Sequence, residues 1–290
     1  MNHPNSTNRI VTRFAPSPTG RLHIGHACSA VFAYTEAMRL NGRFILRIED
    51  IDAGRCRPEF EAGIYEDLRW LGLAWEEPVR RQSEHMEDYR RALDVLEEKG
   101  LIYPCFCSRK DIQEEVARAG SAPHGPEGVL YPGICRTLGR DEQEARKAGG
   151  ASYALRLNMD KALGTLNEPL FWTDAVKGVQ KAAPGLLGDP VLARKDAMAS
   201  YHLCVTLDDH LQGVTCVTRG EDLFHASHLH RLLQHLLGLN VPVWHHHPLL
   251  LDRDGKRFSK RNNGVTLEFL REKEGKTPAD ILSMTGLRLP

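Results

Sequence analysis

Residues 10–50 read IVTRFAPSPTGRLHIGHACSAVFAYTEAMRLNGRFILRIED and contain three successive local patterns. Residues 10–15 predict a short strand, which the two prolines after it bring to an end. Residues 25–40 are helix-forming and are stopped by Asn41-Gly42, and residues 43–48 predict a second strand. A strand, a helix and a strand of this length are typical of a parallel crossover unit. We therefore expect an α/β protein with a doubly wound, Rossmann-like parallel sheet.

The rest of the chain divides into parts of different composition. Residues 105–189 contain two close cysteines, a stretch rich in glycine, proline and alanine, and a charged run, so we interpret them as an insertion. From residue 190 the alternation of helix and strand patterns resumes, which assigns residues 1–104 and 190–250 to one core. A basic loop and a short C-terminal tail occupy residues 251–290.

The composition indicates an ordinary globular protein. Of the 290 residues 41% are hydrophobic and 26% are charged. The 38 basic residues balance the 38 acidic ones, so the net charge does not indicate a nucleic-acid partner. No apolar run approaches the ~18–20 residues of a membrane span, and the first ten residues lack the apolar segment of a signal peptide. Seven cysteines, an odd number, favour the reducing cytoplasm over a disulfide framework. Without an oligomerisation motif, we expect a monomer.

The motif His23-Ile24-Gly25-His26 lies at the mouth of the predicted helix, directly after the first strand and turn. A helix N-terminus offers unpaired N–H groups and a partial positive charge, which suit phosphate. Gly25 lets a planar ligand lie against the backbone, and the two histidines can donate hydrogen bonds to phosphate oxygens. A four-residue match alone fits an ordinary helix start equally well, but its place in the crossover unit favours nucleotide binding.

A second motif, KRFSKR at residues 256–261, follows the last predicted strand of the core. A mobile basic loop can close over a triphosphate and stabilise the transition state of attack at phosphorus. Taken alone, such a loop is more often simply solvated, so its meaning depends on the first motif.

Together the two motifs resemble the HIGH and KMSKS signatures of class I aminoacyl-tRNA synthetases. HIGH is matched letter for letter at residues 23–26. In the KMSKS slot Ser259 and Lys260 are kept, and the first basic position is filled by Arg257 or, with an offset of one residue, by Lys256. The resemblance implies ATP with Mg²⁺ as cofactors. It implies catalytic roles for His23, His26 and Lys260, and ATP binding by His23, Gly25, His26, Ser259 and Lys260.

Three further segments narrow the resemblance to the glutamyl branch, namely residues 13–26, 47–52 and 208–223. Glutamyl-tRNA synthetases continue into a large helical anticodon-binding region, whereas only about thirty residues follow Lys260. With its Cys-x-Cys insertion, the chain is similar to a compact branch that activates L-glutamate without tRNA and then esterifies queuosine in the anticodon of tRNA(Asp). The resemblance therefore implies glutamate, ATP and queuosine-bearing tRNA(Asp) as partners. It also implies that residues 105–189 hold a zinc site and an acceptor-type subdomain.

A glutamate site needs two cations, one anion and neutral hydrogen-bonding groups, because the amino acid carries two carboxylates and one ammonium. Arg13 and Arg219 are the candidate cations, since a guanidinium grips a carboxylate bidentately; which arginine takes which carboxylate stays open. Glu49, at the C-terminal end of the second strand, is the candidate partner of the ammonium, and Ser17 and Tyr201 can supply hydroxyl donors. The glutamate-binding set implied by the resemblance is Arg13, Ala15, Ser17, Glu49, Tyr201 and Arg219.

The insertion carries Cys105 and Cys107 with Cys135 further along, a pattern that suits tetrahedral zinc with one more ligand. His124 lies between them and is the ordinary choice, whereas the resemblance implies Tyr131. The expected Zn²⁺ ligands are therefore Cys105, Cys107, Tyr131 and Cys135, and the competing interpretation is three thiols without a metal. The histidines at residues 245–247 do not predict a metal site, because neighbours on a strand face opposite ways and mix core with surface.

The implied reaction has two steps. A glutamate carboxylate attacks the α-phosphorus of ATP·Mg²⁺ and releases pyrophosphate, and a nucleoside hydroxyl then attacks the glutamyl-adenylate. The first step needs orientation and charge stabilisation more than a general base. Three alternatives compete: a glutamyl-tRNA synthetase that charges a tRNA 3′ end, a nucleotidylyltransferase, and a non-catalytic tRNA-binding paralogue. The glutamate-binding set argues against the second, and the intact catalytic motifs argue against the third.

Overall fold

A computed structural model describes residues 9–118, 124–126, 128–195, 198–250 and 265–290. The strands are β1 (Val11–Phe14), β2 (Arg43–Ile48), β3 (Glu76–Arg81), β4 (Ile102–Cys105), β5 (His124–Gly125), β6 (Gly128–Val129), β7 (Ala154–Leu157), β8 (Phe171–Asp174), β9 (Gly178–Lys181), β10 (Val191–Ala193), β11 (Cys216–Gly220) and β12 (Val243–His247). The helices are α1 (Ile24–Arg39), α2 (Pro58–Trp70), α3 (Met86–Glu98), α4 (Arg109–Arg118), α5 (Arg140–Ala148), α6 (Met159–Gly164), α7 (Tyr201–Leu211), α8 (Ala226–Leu237), α9 (Leu267–Glu272) and α10 (Pro278–Thr285). Among these residues, no helix combines the length and apolar character that a membrane crossing needs.

The predicted crossover unit is confirmed. β1 and β2 pair in parallel along the whole of β1, and α1 connects them. The helix ends at the turn that the sequence predicted, where Asn41 has a φ of 49°. A Cβ on Gly42 would clash with Cγ2 and the backbone oxygen of Ile10, so the close approach of the turn to the chain before β1 requires glycine. On its other side β2 pairs in parallel with β3.

The second half of the core is built around β11 and β12, which pair in parallel. β8 joins β12 in parallel, and β9 pairs with β8 in the antiparallel direction. The two halves meet between β1 and β11, where Thr215 N donates to Val11 O at 3.0 Å and Val11 N donates to Thr215 Oγ1 at 2.8 Å. The core order is therefore β3-β2-β1-β11-β12-β8-β9. In such sheets the crevice between the two halves, at the carboxyl ends of the strands, is where ligands bind.

The predicted insertion contributes both a separate sheet and part of the core sheet. β7 pairs in the antiparallel direction with β4 and β10, and β5 and β6 form a short hairpin. β8 and β9 lie within residues 105–189 but extend the core sheet beside β12. The parallel α/β core is confirmed, whereas the boundaries of the insertion and its zinc stay predictions.

Residues 265–290 pack against the first half of the core. Leu267 on α9 and Ile281 on α10 are fully buried in one apolar cluster with residues of α1 and α2. Thr266 forms a β-bridge with His23. This segment, interpreted from the sequence as a tail, therefore begins directly beside the predicted phosphate-binding motif.

Candidate active site

A cavity of about 470 Å³ lies at the carboxyl ends of β1, β2 and β11. Its lining includes every residue that the sequence predicts for glutamate binding and three of those predicted for ATP binding. These are Arg13, Ala15, Ser17, Glu49, Tyr201 and Arg219, together with His23, Gly25 and His26. Ser259 and Lys260 lie outside the described residues, as do Lys256 and Arg257. Leu249 and Leu250 also line the cavity, so the chain that leads towards the basic loop starts at its edge.

His23 and His26 cap the first turn of α1. His23 Nδ1 accepts a hydrogen bond from Gly25 N, and His26 Nδ1 accepts one from His23 N, each at 3.1 Å. The two bonds form a reciprocal capping box in which imidazoles replace the usual hydroxyl and carboxylate. Because each Nδ1 is an acceptor, each neutral ring carries its proton on Nε2. That tautomer has an N–H that can donate to a phosphate oxygen.

Asp209 on α7 balances two buried arginines at the floor of the cavity. Its Oδ1 accepts from Arg13 Nε at 3.0 Å and from Arg47 Nη1 at 2.9 Å. Although burial raises it, the two guanidiniums hold the pKa of Asp209 below its usual value. The carboxylate therefore stays ionised and fixes both arginines in place.

Glu49 presents its carboxylate to the cavity from the end of β2. Its Oε1 accepts from Arg47 Nη2 at 3.2 Å. Burial raises the pKa of Glu49, and the charges of Arg47 and Arg13 oppose that rise. An ammonium group placed beside this carboxylate would also oppose the rise in its pKa. The negative charge of Glu49 therefore favours binding of an ammonium group.

Arg219 on β11 is buried among neutral partners. Its Nε donates to His246 Nε2 and its Nη1 to His230 Nδ1, both at 3.2 Å, and its Nη2 donates to Ser227 Oγ. In the ranges that the structure describes, no carboxylate lies within 4 Å of this guanidinium. Burial lowers the pKa of Arg219. A buried cation without a protein carboxylate, at the wall of a cavity, is a favourable site for a carboxylate ligand.

Ser17 and Tyr201 contribute hydroxyl groups to the cavity wall. Ser17 Oγ donates to Glu49 O at 2.7 Å, so it offers an acceptor rather than the donor that the sequence suggested. Tyr201 is the first residue of α7. Burial raises the pKa of Tyr201 and the charge of Arg219 opposes that rise, so the phenol keeps its proton for donation. Ala15 lines the cavity without a polar side chain.

Comparisons with known proteins identify relatives of the chain. The family described as class I tRNA synthetases (E and Q), catalytic domain, matches residues 9–288. A glutamyl-Q tRNA(Asp) synthetase from Rhodobacter capsulatus is 50% identical over 287 residues, which cover 96% of this chain and 100% of the relative.

The chain belongs to the glutamyl-Q tRNA(Asp) synthetase family of class I tRNA synthetases.

Two other proteins share less of their sequence with this chain. A glutamyl-Q tRNA(Asp) synthetase from Symbiobacterium thermophilum is 44% identical over 269 residues, covering 89% of this chain and 80% of the relative. Among solved structures, a glutamate tRNA ligase from Elizabethkingia meningosepticum in complex with its amino acid superposes with a TM-score of 0.74 at 31% identity. The match covers 87% of this chain and 52% of that ligase, so the chain spans about half the length of the ligase.

Sequence reasoning assigned no role to several polar residues that this family fold buries beside the cavity. Arg47 could have been found, because residues two apart on a strand share a face and Glu49 is two residues away. Asp209 and His246 had no such local signal. Asp209 on α7 contacts arginines of β1 and β2, and His246 on β12 contacts an arginine of β11, so only the packing of separate segments reveals them.

The three cysteines of the insertion form a compact cluster. The sulfur atoms of Cys105, Cys107 and Cys135 all lie within 4.8 Å of one another, and Cys107 and Cys135 are 3.4 Å apart. The Tyr131 hydroxyl lies 3.5 Å from Cys107 Sγ and accepts from Cys135 N at 2.8 Å. Zinc bound to thiolates at ~2.3 Å in a tetrahedron sets its sulfurs about 3.8 Å apart, so this spacing fits a zinc site. The side chain of His124 lies outside the described residues.

Two thiols of the cluster have pKa values shifted in opposite directions. Burial raises the pKa of Cys107 to about 12. Although burial also raises it, hydrogen bonds to Tyr131 and Arg156 hold the pKa of Cys105 below its usual value. The guanidinium of Arg156 lies 3.9 Å from the centre of the Tyr131 ring. A nearby cation of this kind favours an anionic ligand set.

Proposed function

We propose that this chain forms glutamyl-adenylate from L-glutamate and ATP and transfers the glutamyl group to queuosine in the anticodon of tRNA(Asp). The observation that carries the proposal is the charge pattern of the cavity. Arg219, a buried cation with no carboxylate partner in the described part of the chain, and Glu49, a partly buried anion, share one cavity with the two histidines of α1. The relatives at 50% and 44% identity are glutamyl-Q tRNA(Asp) synthetases, which supports the tRNA(Asp) acceptor.

In this proposal Arg219 takes one carboxylate of glutamate, and Glu49 takes its ammonium. Arg13 already donates from Nε to Asp209 and from Nη1 to Thr218 O. It therefore adds positive charge near the second carboxylate while its own orientation is fixed by the protein. Ser17 Oγ can accept a hydrogen bond from the ammonium, because its own proton is donated to Glu49 O.

The activation step then needs positioning rather than a general base, because an ionised carboxylate is already a nucleophile. The Nε2–H groups of His23 and His26 would stabilise charge on the phosphate oxygens as the carboxylate attacks the α-phosphorus. Mg²⁺ would enter with ATP and neutralise the phosphates. Ser259 and Lys260 of the basic loop complete the proposed ATP site.

The experiment that tests the acceptor is transfer of radiolabelled glutamate, with ATP, to tRNA(Asp) that contains or lacks queuosine. Labelling of the queuosine-containing tRNA(Asp) alone is the expected result. Labelling of tRNA(Glu) instead would identify a glutamyl-tRNA synthetase. Glutamate-dependent ATP–pyrophosphate exchange without labelling of any of the three would keep the activation step and reject the acceptor.

The cysteine cluster is the proposed zinc site of the insertion, with Cys105, Cys107, Cys135 and Tyr131 as ligands. We expect about one zinc per chain by elemental analysis. Cys107→Ser is expected to lose most of this zinc, because serine replaces a thiolate with a poor zinc ligand. Cys56→Ser is the matched control, since Cys56 lies outside the cluster. Zinc-free protein, or full zinc in Cys107→Ser, would contradict the assignment.

A further inference from the structure

Arg219 is one member of a buried chain of hydrogen-bonded side chains. His246 and His230 accept hydrogen bonds from Arg219, as described above, and each histidine is hydrogen-bonded to one further side chain. His246 Nδ1 lies 2.6 Å from Asp174 Oδ2, and His230 Nε2 lies 3.1 Å from His202 Nδ1. This series of hydrogen bonds thus runs from Asp174 at the end of β8 through Arg219 to His202 on α7.

The direction of the bonds on the Asp174 side is fixed by chemistry. A guanidinium Nε–H can only donate, so His246 Nε2 must present its lone pair to Arg219. The proton of the neutral ring is then on Nδ1, where it is donated to Asp174. Burial and the charge of Arg219 lower the pKa of His246 to about 4, although Asp174 opposes them, so the ring is neutral at pH 7.

Both oxygens of Asp174 are occupied. Oδ2 accepts from His246, and Oδ1 accepts from the backbone N–H groups of Val176 and Lys177 at 2.9 and 2.8 Å. The side chains of Asp174 and His246 are essentially inaccessible to solvent, at 0% and 1% exposure. Water therefore cannot take over the role of either partner.

We propose that Asp174 and His246 are positioning residues that aim Arg219 at the substrate carboxylate, with Asp174 holding His246 in its Nδ1–H tautomer. The inference deepens the proposed function and rests on its assignment of Arg219 to glutamate. The sheet places the pair suitably, because β11 and β12 are in register with Arg219 opposite His246. Neither Asp174 nor His246 lines the cavity, so both act through the arginine.

Asp174→Asn is the decisive variant. Two backbone N–H groups hold the side-chain oxygen, so the new NH₂ group faces His246 Nδ1, which must then accept. The ring proton moves to Nε2 and opposes the Nε–H of Arg219. A reversed tautomer costs up to about 10⁴-fold in a protease triad. Here, where the ring acts through Arg219, we expect the KM for glutamate in ATP–pyrophosphate exchange to rise about 100-fold, with the KM for ATP changed less than about twofold.

His246 provides the second test. His246→Leu removes the acceptor of Arg219 and is expected to raise the KM for glutamate as much as Asp174→Asn. His246→Gln, whose amide can present oxygen to Arg219 and NH₂ to Asp174, is expected to raise it about tenfold or less. His228→Leu is the matched control, since His228 accepts from Trp172 Nε1 and Ala183 N but does not contact Arg219.

Glutamate binding by calorimetry and the thermal midpoint of each variant complete the experiment. If the wild-type protein neither binds nor activates glutamate, the proposed function fails and this inference fails with it. If the wild-type protein activates glutamate and folded Asp174→Asn and His246→Leu keep its KM and affinity, the inference alone is overturned. An equal loss in His228→Leu would also overturn it, because a general loosening of the region would then explain the effect.

Discussion

Arg219→Gln is expected to reduce kcat/KM for glutamate by about 100- to 1000-fold in ATP–pyrophosphate exchange. Losing one member of a buried charge pair between ligand and protein costs about 2–5 kcal/mol, and Arg219 is the buried cation that no described carboxylate neutralises. Arg231→Gln is the matched control, because Arg231 lies on α8 and donates to Phe171 O outside the cavity. The control is expected to keep its activity.

The same change is expected to leave stability intact. Arg219 is buried, none of the described carboxylates pairs with it, and burial of its charge opposes folding. Glutamine removes that charge and can still donate to one of the neutral groups around it. A thermal midpoint for Arg219→Gln at or above the wild-type value, together with lost activity, is the expected pair of results. A large fall in the midpoint, with activity lost in proportion to unfolding, would contradict the substrate-binding role.

Asp209→Ala is expected to destabilise the fold by about 3–5 kcal/mol, since it leaves the buried Arg13 without a described carboxylate partner and removes one of the partners of Arg47. Asp209 accepts from both Arg13 and Arg47, and Arg47 is fully buried. Glu76→Ala is the matched control. Its salt bridge to Arg43 is 2.6 Å long, but both side chains are nearly half exposed, so its loss is expected to cost about 0–1 kcal/mol. Urea unfolding of the two variants measures the difference, and equal losses would contradict this account.

The contribution of Asp209 also has a defined pH dependence. The pKa of Asp209 is lower in the folded protein than its usual value, so its stabilisation is present above the unfolded pKa, about 4. It is lost as the pH falls towards the folded value. Wild type and Asp209→Ala should therefore converge in stability as the pH is lowered below about 4.

The sequence was sufficient for the first crossover unit and for nine of the residues that line the cavity. The strand and helix patterns of residues 10–50 are local, and the turn at Asn41-Gly42 is set by backbone sterics. Apart from Tyr201, the described members of the predicted sets lie at or after the carboxyl ends of β1, β2 and β11, and parallel strands bring these ends to one edge of a sheet. The cavity accordingly contains every described member of the predicted set.

The histidines at residues 245–247 illustrate what the local sequence pattern could and could not predict. The alternation of a strand predicted a mixture of core and surface, and His245 is indeed partly exposed while His246 is buried. The sequence did not reveal that His246 lies opposite Arg219. That register depends on how β11 and β12 pair across the intervening helix.

The sequence by itself determined the α/β class and named nine of the residues that line the cavity, because each depends on short-range periodicity or on a motif. Only the tertiary structure decided which charges compensate one another. Asp209 lies 196 residues from Arg13, and Asp174 lies 72 residues from His246. The pairing of buried charges depends on which distant segments pack together and exclude water, and the strength of each interaction depends on that exclusion. For this reason the sequence could name Arg219 as a cation of the site, whereas the fold alone showed that no described carboxylate of the protein neutralises it.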